Sequence, residues 1–213
     1  SNPQAINITF ESKTTAKSMG TKNGEWLTHP AFTFGNKELA GIWVGKFETS
    51  NTSTLPKIVP NVSSLRNMSI SAQFNTSRLM TTTLASTYGT STNDDSHMIK
   101  NMEWGAVAYL SSSIYGRYTN ASTCIASGCE VWVNNNLNWT TGCAGSFDSA
   151  SQSSACNAWN TATGVNASTT GNIYGIYDMS GGAYECVMGN YNDTIKDGGF
   201  YSMPEAKYYD KYM

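Results

Sequence analysis

Cysteine is the most reactive residue type in this sequence, and the spacing of its five copies favours structural disulfides. Cys124 and Cys129 lie close together, Cys143 and Cys156 bracket a Ser-rich stretch, and Cys186 stands alone. Both paired segments are rich in Gly, Ser and Asn, where a short loop gains stability from a covalent link. We predict disulfides between these sequence neighbours and an unpaired Cys186. Free thiols are the alternative.

The sequence also contains two weaker candidates for a metal site, one for zinc and one for calcium. There is no CxxC pair, and His29 and His97 lie far from the cysteines, which disfavours zinc. The run "NYNDTIKDGG" offers oxygen ligands that could hold Ca²⁺ in a Gly-containing loop, although the spacing departs from the EF-hand pattern. A solvated turn is the alternative. The candidate calcium ligands are Asn190, Asn192, Asp193 and Asp197.

No residue of this chain is predicted to be catalytic, and no cofactor is required. A serine hydrolase of the α/β type needs a G-x-S-x-G turn, and the nearest string, "GCAGS", lacks that spacing. His29 precedes Pro30 at the start of a predicted strand, and His97 falls in the first turn of a predicted helix. Both histidines are therefore interpreted as structural.

Tryptophans in a loop-like region are the best candidates for binding. Trp132, Trp139 and Trp159 lie amid Asn, Ser and Gly, and Asn136 belongs to the run "NNNLNWTTG" around Trp139. Exposed aromatic faces beside amide and hydroxyl groups bind neutral sugars and peptides. The alternative is that each ring holds its loop against the core.

The amino-acid composition and net charge limit the classes of protein to which this chain can belong. The 213 residues are 39% hydrophobic, which allows a real core, and only 13% charged. We expect a single domain over residues 23–213 after a less ordered lead-in, residues 1–22. The net charge of −2, without a basic run, argues against nucleic acid. No apolar run is long enough for a membrane span. The neutral polar surface favours an extracellular location.

Short strands, two helices and a long loop must position these side chains, which indicates an α+β fold. Apolar runs at residues 31–34 and 42–47 predict two strands joined by a turn, the second largely buried. Residues 69–85 predict one helix. Residues 119–170 are loop-like apart from the short strand "EVWVNN", and a loop of that length is functional or cross-linked.

The second helix has the clearest pattern. It is predicted to begin after Ser96, the expected N-cap, and to stop at Gly116. One face is shared by Ile99, Glu103, Ala106, Leu110 and Ile114.

The run "GIYDMSGGAYECVMGNY", residues 175–191, resembles the "GLYDMSGNVWEW" segment of the formylglycine-generating-enzyme, or sulfatase-modifying-factor, superfamily. "GIWVGKFETS" and "NMEWGAVAYLSSSIYG" are similar to two earlier segments of that superfamily. The resemblance implies a C-type-lectin-like α+β fold. A closer similarity is to a group of gut-bacterial surface proteins, some of which have pilin-like N-termini. It covers residues 29–48, 100–110 and 167–190 and implies a surface or filament protein.

Departures from the superfamily bear on chemistry. Gly182 stands where its members have Asn, so an oxygen that could bind calcium is missing, and Cys186 replaces its second tryptophan. The copper-binding cysteine pair of the true oxidases follows an "RGGSW" block, and neither is found before Met213. We expect that the C-terminal part of the family's domain is lacking here or supplied by another segment.

The "DMSGG" segment is therefore expected to anchor the fold. Gly175, Gly181 and Gly182 would allow tight turns, Asp178 and Ser180 would hydrogen-bond their own turn, and apolar residues would fill the core. The apolar residues are Ile173, Ile176, Tyr177, Met179, Tyr184, Val187 and Met188.

These features predict a non-catalytic bacterial surface adhesin or filament subunit. Its partners would be a protein or carbohydrate ligand, or neighbouring subunits. The alternative is a formylglycine-generating oxidase that acts on a protein cysteine, and a third possibility is a subunit that pairs with its neighbour through Cys186.

Overall fold

A computed structural model describes residues 29–91, 93–117, 130–147, 151–195 and 198–212. The predicted lead-in, the Cys124–Cys129 pair and Asp197 lie outside these residues. Within them the chain combines three α-helices with eight short strands, so the mixed helix-and-strand class is confirmed. In the part described, no helix is long and apolar enough to cross a membrane.

The strands form four separate two-stranded pairs rather than one sheet. Three pairs are antiparallel: β1 (Thr33–Phe34) with β2 (Lys37–Glu38), β3 (Ser50–Thr52) with β4 (Leu55–Lys57), and β5 (Cys143–Ala144) with β6 (Asn157–Ala158). The fourth, β7 (Gly189–Tyr191) with β8 (Asp210–Tyr212), is parallel. Because the strands are this short, side-chain contacts and isolated bridges must supply much of the order between them.

The first predicted helix is divided in two. Helix α1, Ile70–Arg78, begins after Ser69, whose hydroxyl accepts the backbone N–H of Ala72 at 3.2 Å. A 3₁₀ turn at Leu79–Thr81 follows, and the short helix α2, Ala85–Tyr88, ends at Gly89 with a φ of +66°. The prediction of two helices is therefore corrected to three.

The second predicted helix begins later than expected. Helix α3 spans Asn101–Tyr109, because Lys100 is extended and bridges Met188. The Glu103 carboxylate accepts the Lys100 backbone N–H at 2.8 Å and closes the first turn. Ser96 does not cap the helix, since its hydroxyl donates to the Ser77 carbonyl at 2.7 Å. His97 consequently precedes the helix.

The face predicted for this helix is only partly buried. Glu103 and Val107 are buried, but Ile114 lies past the helix end and is 80% exposed. The helix ends at Tyr109 and continues as a 3₁₀ turn to Ser112, short of the expected stop at Gly116.

The predicted second strand, residues 42–47, is not a strand. The hairpin closes earlier, where Thr33 pairs with Glu38, and the following segment is irregular. Trp43 is fully exposed, whereas Phe47 is buried. The apolar run was misleading here, because this segment lines a cleft rather than joining a sheet.

In the described part of the chain, two hydrophobic clusters form the core. The first contains Phe47, Ala144, Ala167 and Tyr177, with Ile58, Trp132 and Trp159 packed against it. The second contains Phe74, Met98, Met188 and Tyr208, with Phe34, Ile70, Cys186, Phe200 and Tyr209 packed against it. Residues 41–49 contribute to the first cluster, and the segment before α3 contributes to the second.

A disulfide joins β5 to the start of β6, as predicted, and cross-links the long loop. Cys143 and Cys156 are bonded with a Cα–Cα distance of 4.9 Å, whereas Cys186 has a free thiol. Residues 130–135, predicted to be a strand, instead make isolated bridges through Val133 to Ser146 and through Asn134 to Gly181.

Replacing both bonded cysteines by Ser is expected to lower the free energy of unfolding by about 3 kcal/mol. The bond closes a loop with a sequence separation of 13 residues, which restricts the unfolded chain, and Cys143 is fully buried. Urea unfolding of the oxidised protein and the Cys143→Ser/Cys156→Ser variant measures the loss, and Cys186→Ser is the control without a bond. Equal midpoints for the double variant and the parent would contradict the prediction.

Candidate binding cleft

Asp178 is the organising residue of the "DMSGG" segment. Its side chain is buried and accepts the Asn134 side-chain amide at 2.9 Å, the Gly142 backbone N–H at 2.9 Å and the Glu48 backbone N–H at 3.3 Å. These partners come from three distant parts of the chain rather than from the turn of Asp178 itself, contrary to expectation. The carboxylate therefore ties those segments together.

The glycines of this segment are required by its geometry. Gly181 and Gly182 have φ values of +81° and +77°, which favour glycine. A Cβ on Gly182 would lie 2.4 Å from the Glu48 carboxylate. An Asn at this position, as in the superfamily, would therefore displace Glu48.

The bulky residues of the segment divide between core and surface. Tyr177 and Met188 are buried, as predicted, but Tyr184 is 103% exposed and fills no core. Tyr184 and Trp43 instead line a cavity in the described part of the chain, and their full exposure places them at its rim.

This cavity is a cleft of about 520 Å³ in which residues of both core clusters meet. It lies between residues 42–49, helix α1, the segment before α3 and residues 183–186. The exposed surface of the walls is mainly apolar, with side chains such as Val44, Ile58, Met68, Met80 and Met98, although polar and charged residues also line the cleft. The volume and the apolar walls are typical of ligand sites.

Glu48 is the most perturbed acid of the cleft. Its carboxylate accepts the Ala183 backbone N–H at 2.9 Å and the Ser64 hydroxyl. Burial, followed by the nearby Asp178 carboxylate, raises the pKa of Glu48 to about 8. These effects outweigh the two hydrogen bonds, which favour the ionised form. Glu48 is therefore largely protonated near neutral pH.

Glu185 provides a second acid at the same end of the cleft. Its carboxylate accepts the indole N–H of Trp104 on α3. Loss of hydration, followed by the field of Asp178, raises the pKa of Glu185 above its usual value. Because Glu185 is more exposed than Glu48, we expect desolvation to affect it less.

The other acids that line the cleft are already paired with basic side chains. Asp95 lies 3.0 Å from the ammonium group of Lys207. Glu103 lies 3.5 Å from the Lys100 ammonium and 3.2 Å from His97 Nε2. Hydrogen bonding to Glu103 opposes the desolvation of His97 and leaves the pKa of His97 raised. Glu103 is held ionised by the same partners, so its pKa is lowered.

The tryptophans predicted to bind are held within the protein. Trp132 and Trp159 pack against the first cluster, and the Lys46 ammonium lies 4.2 Å from the centre of the Trp159 ring. Trp139 is half-buried, and the Arg66 guanidinium lies 3.7 Å from its ring centre. Unlike Trp132 and Trp159, Trp139 does not pack against the first cluster.

Asn136 supports its own loop. The side chain is buried, donates to the Ala155 carbonyl at 3.0 Å and accepts the Asn138 N–H at 3.1 Å.

The calcium candidates that the structure describes are used in local contacts. Asn190 accepts the Thr194 N–H at 3.1 Å and donates to the Thr194 carbonyl at 3.0 Å. Asp193 pairs with Lys211 and accepts the Tyr209 hydroxyl at 3.2 Å. Asn192 adopts a φ of +58° in the turn between them. No group of three or more His, Cys, Asp or Glu within the described ranges is arranged to hold a metal.

Sequence reasoning missed Glu48, Glu185 and Trp43 as site residues. Glu48 follows the run "GIWVGKF", and Glu185 lies within "GGAYEC". One signal could have pointed to the two acids: each lies in a run that resembles a segment of the formylglycine-generating-enzyme superfamily. Cys186, predicted to be unpaired, lines the same cleft.

Comparisons with known proteins do not extend this description. No protein-family model matches the chain, and no curated protein matches it.

Proposed function

We propose that this chain is a non-catalytic extracellular binding module, displayed on a bacterial surface or built into a filament, which binds a segment of another protein in the cleft. The observation that carries the proposal is the 520 Å³ cleft itself, with apolar walls and the fully exposed rings of Trp43 and Tyr184 at its rim. Exposed aromatic residues beside an apolar groove are the usual anchors of protein recognition.

Two further features support the extracellular part of the proposal. The Cys143–Cys156 disulfide is typical of an oxidising compartment. The low charged fraction of 13% suits a protein with a neutral polar surface. A C-type-lectin-like scaffold, implied by the resemblance of the "DMSGG" segment, remains part of the proposal.

Replacing Trp43 and Tyr184 by Ala is expected to reduce the recovery of binding peptides at least tenfold. Both side chains are fully exposed, so their removal should change recognition without unfolding the protein. The immobilised protein is panned against a random peptide library displayed on phage, and the double variant is panned in parallel. Tyr201→Ala is the matched control, because Tyr201 is equally exposed but does not line the cleft.

Three results would overturn the proposal in different ways. Equal recovery on the parent and the double variant would move the binding site elsewhere. Binding to a glycan array but to no peptide would favour a carbohydrate ligand. Conversion of a cysteine peptide to formylglycine would support the oxidase alternative.

A further inference from the structure

We infer that the protein segment bound in the cleft carries a basic side chain between apolar residues, and that this side chain lies against Glu48 and Glu185. The inference rests on the function proposed above and specifies the chemistry of the partner. It follows from the distribution of charge around the cleft, which is one-sided.

Among the residues that the structure describes, the charged ones that line the cleft are four acids and one histidine, with no Lys or Arg: Glu48, Asp95, Glu103, Glu185 and His97. The acids fall into two groups. Asp95 and Glu103 have basic partners within 4 Å. For Glu48 and Glu185, no basic side chain in the described ranges lies that close. One end of the cleft thus carries two acids without a basic partner among the described residues.

In the free protein Glu48 is held protonated rather than paired with a basic side chain. Glu48 is half-buried and lies near Asp178, a fully buried carboxylate. Burial and the Asp178 carboxylate disfavour the ionised form of Glu48, and a cation placed against Glu48 and Glu185 would favour that form. A basic group at this end would therefore gain more than it would on an exposed surface.

The apolar walls and the aromatic rim of the cleft indicate which side chains flank the basic group in the bound segment. Met68, Met80 and Met98 form walls that adapt to apolar side chains of different shapes. A small inorganic cation or a neutral sugar would leave these walls unused. The rings of Trp43 and Tyr184 at the rim can cover the aliphatic stem of Lys or Arg and attract its charge.

Peptide pools test the inference directly. Each pool has a mixture of Leu, Ile, Val, Phe and Ala on both sides of one fixed central residue, which is Lys, Arg, norleucine, Gln or Glu. Retention on the immobilised protein at pH 7.5 is measured for each pool. We expect the Lys and Arg pools to be retained at least tenfold more than the norleucine pool, and the Glu pool least.

Variants of Glu48 and Glu185 test whether these two acids cause the preference for the basic pools. In Glu48→Gln/Glu185→Gln the advantage of the basic pools is expected to fall to less than twofold, while retention of the norleucine pool persists. Glu38→Gln/Glu205→Gln is the matched control, because both acids are exposed and neither lines the cleft. It should retain the full preference.

The outcomes separate this inference from the function on which it rests. Equal retention of the norleucine and Lys pools, both lost in Trp43→Ala/Tyr184→Ala, would overturn the basic side chain but keep the cleft as a binding site. Retention of no pool above background would overturn both. A preference for basic pools that survives in Glu48→Gln/Glu185→Gln would also overturn the inference.

Discussion

Replacing Asp178 by Ala is expected to lower the free energy of unfolding by about 3 to 5 kcal/mol, the largest effect of any single substitution in the described core. The change removes the acceptor of three donors, on Asn134, Gly142 and Glu48. The backbone N–H of Gly142 is buried and would lose both of its bonds to the carboxylate. Each buried donor left without a partner costs about 1 to 3 kcal/mol.

Urea unfolding followed by circular dichroism measures this loss. Asp178→Asn should cost less, about 1 to 2 kcal/mol, because its amide oxygen still accepts one donor and Asn tolerates the φ of +65° at this position. Asp94→Ala is the matched control: Asp94 is exposed and also accepts a backbone N–H, that of Ser91 at 2.9 Å. Its loss should stay below about 1 kcal/mol. Comparable losses at both positions would mean that Asp178 does not organise the fold.

The role of Asp178 shows what the "DMSGG" segment could and could not reveal in advance. The concentration of Gly, Tyr and Met correctly predicted tight turns and buried bulk at Gly181, Gly182 and Tyr177. It could not show that Asp178 bonds to Asn134 and Gly142, because those partners lie 44 and 36 residues away. Short-range patterns carry no information about such pairings.

Helix boundaries failed for a similar reason. Ser96 has the residue type of an N-cap and precedes an apolar run. A long-range contact overrides this local signal, because Lys100 is held extended beside Met188 and Glu103 closes the helix start. The existence of α1 and α3 was thus predictable from periodicity, whereas their first and last turns depended on tertiary contacts.

The cleft was the least predictable feature. Residues 42–47 form an apolar run like that of a buried strand, and only the fold shows that Trp43 faces solvent while Glu48 is half-buried. Tryptophans were favoured as binding residues because of their polar neighbours, yet Trp132 and Trp159 pack on the core. The nature of a residue's sequence neighbours does not determine whether its ring is exposed.

Glu48→Gln is expected to make the protein more stable at pH 8, by about 2 to 4 kcal/mol, and to change its stability at pH 5 by less than about 1 kcal/mol. The pKa of Glu48 is near 4.5 in the unfolded chain and about 8 in the folded protein. The folded state therefore keeps a proton that the unfolded state has lost. This contribution to stability is fully present below pH 4.5 and disappears as the pH rises to about 8.

Neighbouring groups require that the variant be compared with the parent at each pH. The raised pKa values of Asp178, Glu185 and His97 also favour the folded state at lower pH, so the parent's profile combines several groups. Glu103, whose pKa is lowered, is ionised in both states at pH 6 and above and adds little slope there. The difference between Glu48→Gln and the parent isolates Glu48 and its coupling to Asp178.

Urea unfolding at pH 5, 6, 7 and 8 gives the two profiles, with Glu38→Gln as a control that should follow the parent throughout, because Glu38 is exposed on β2. Parallel profiles for Glu48→Gln and the parent would show that Glu48 ionises normally in the folded protein. A shallower profile for the variant would show that the free protein keeps this end of the cleft protonated. A bound basic side chain would then release that proton, so its affinity should rise between pH 6 and 8 in the parent but not in Glu48→Gln.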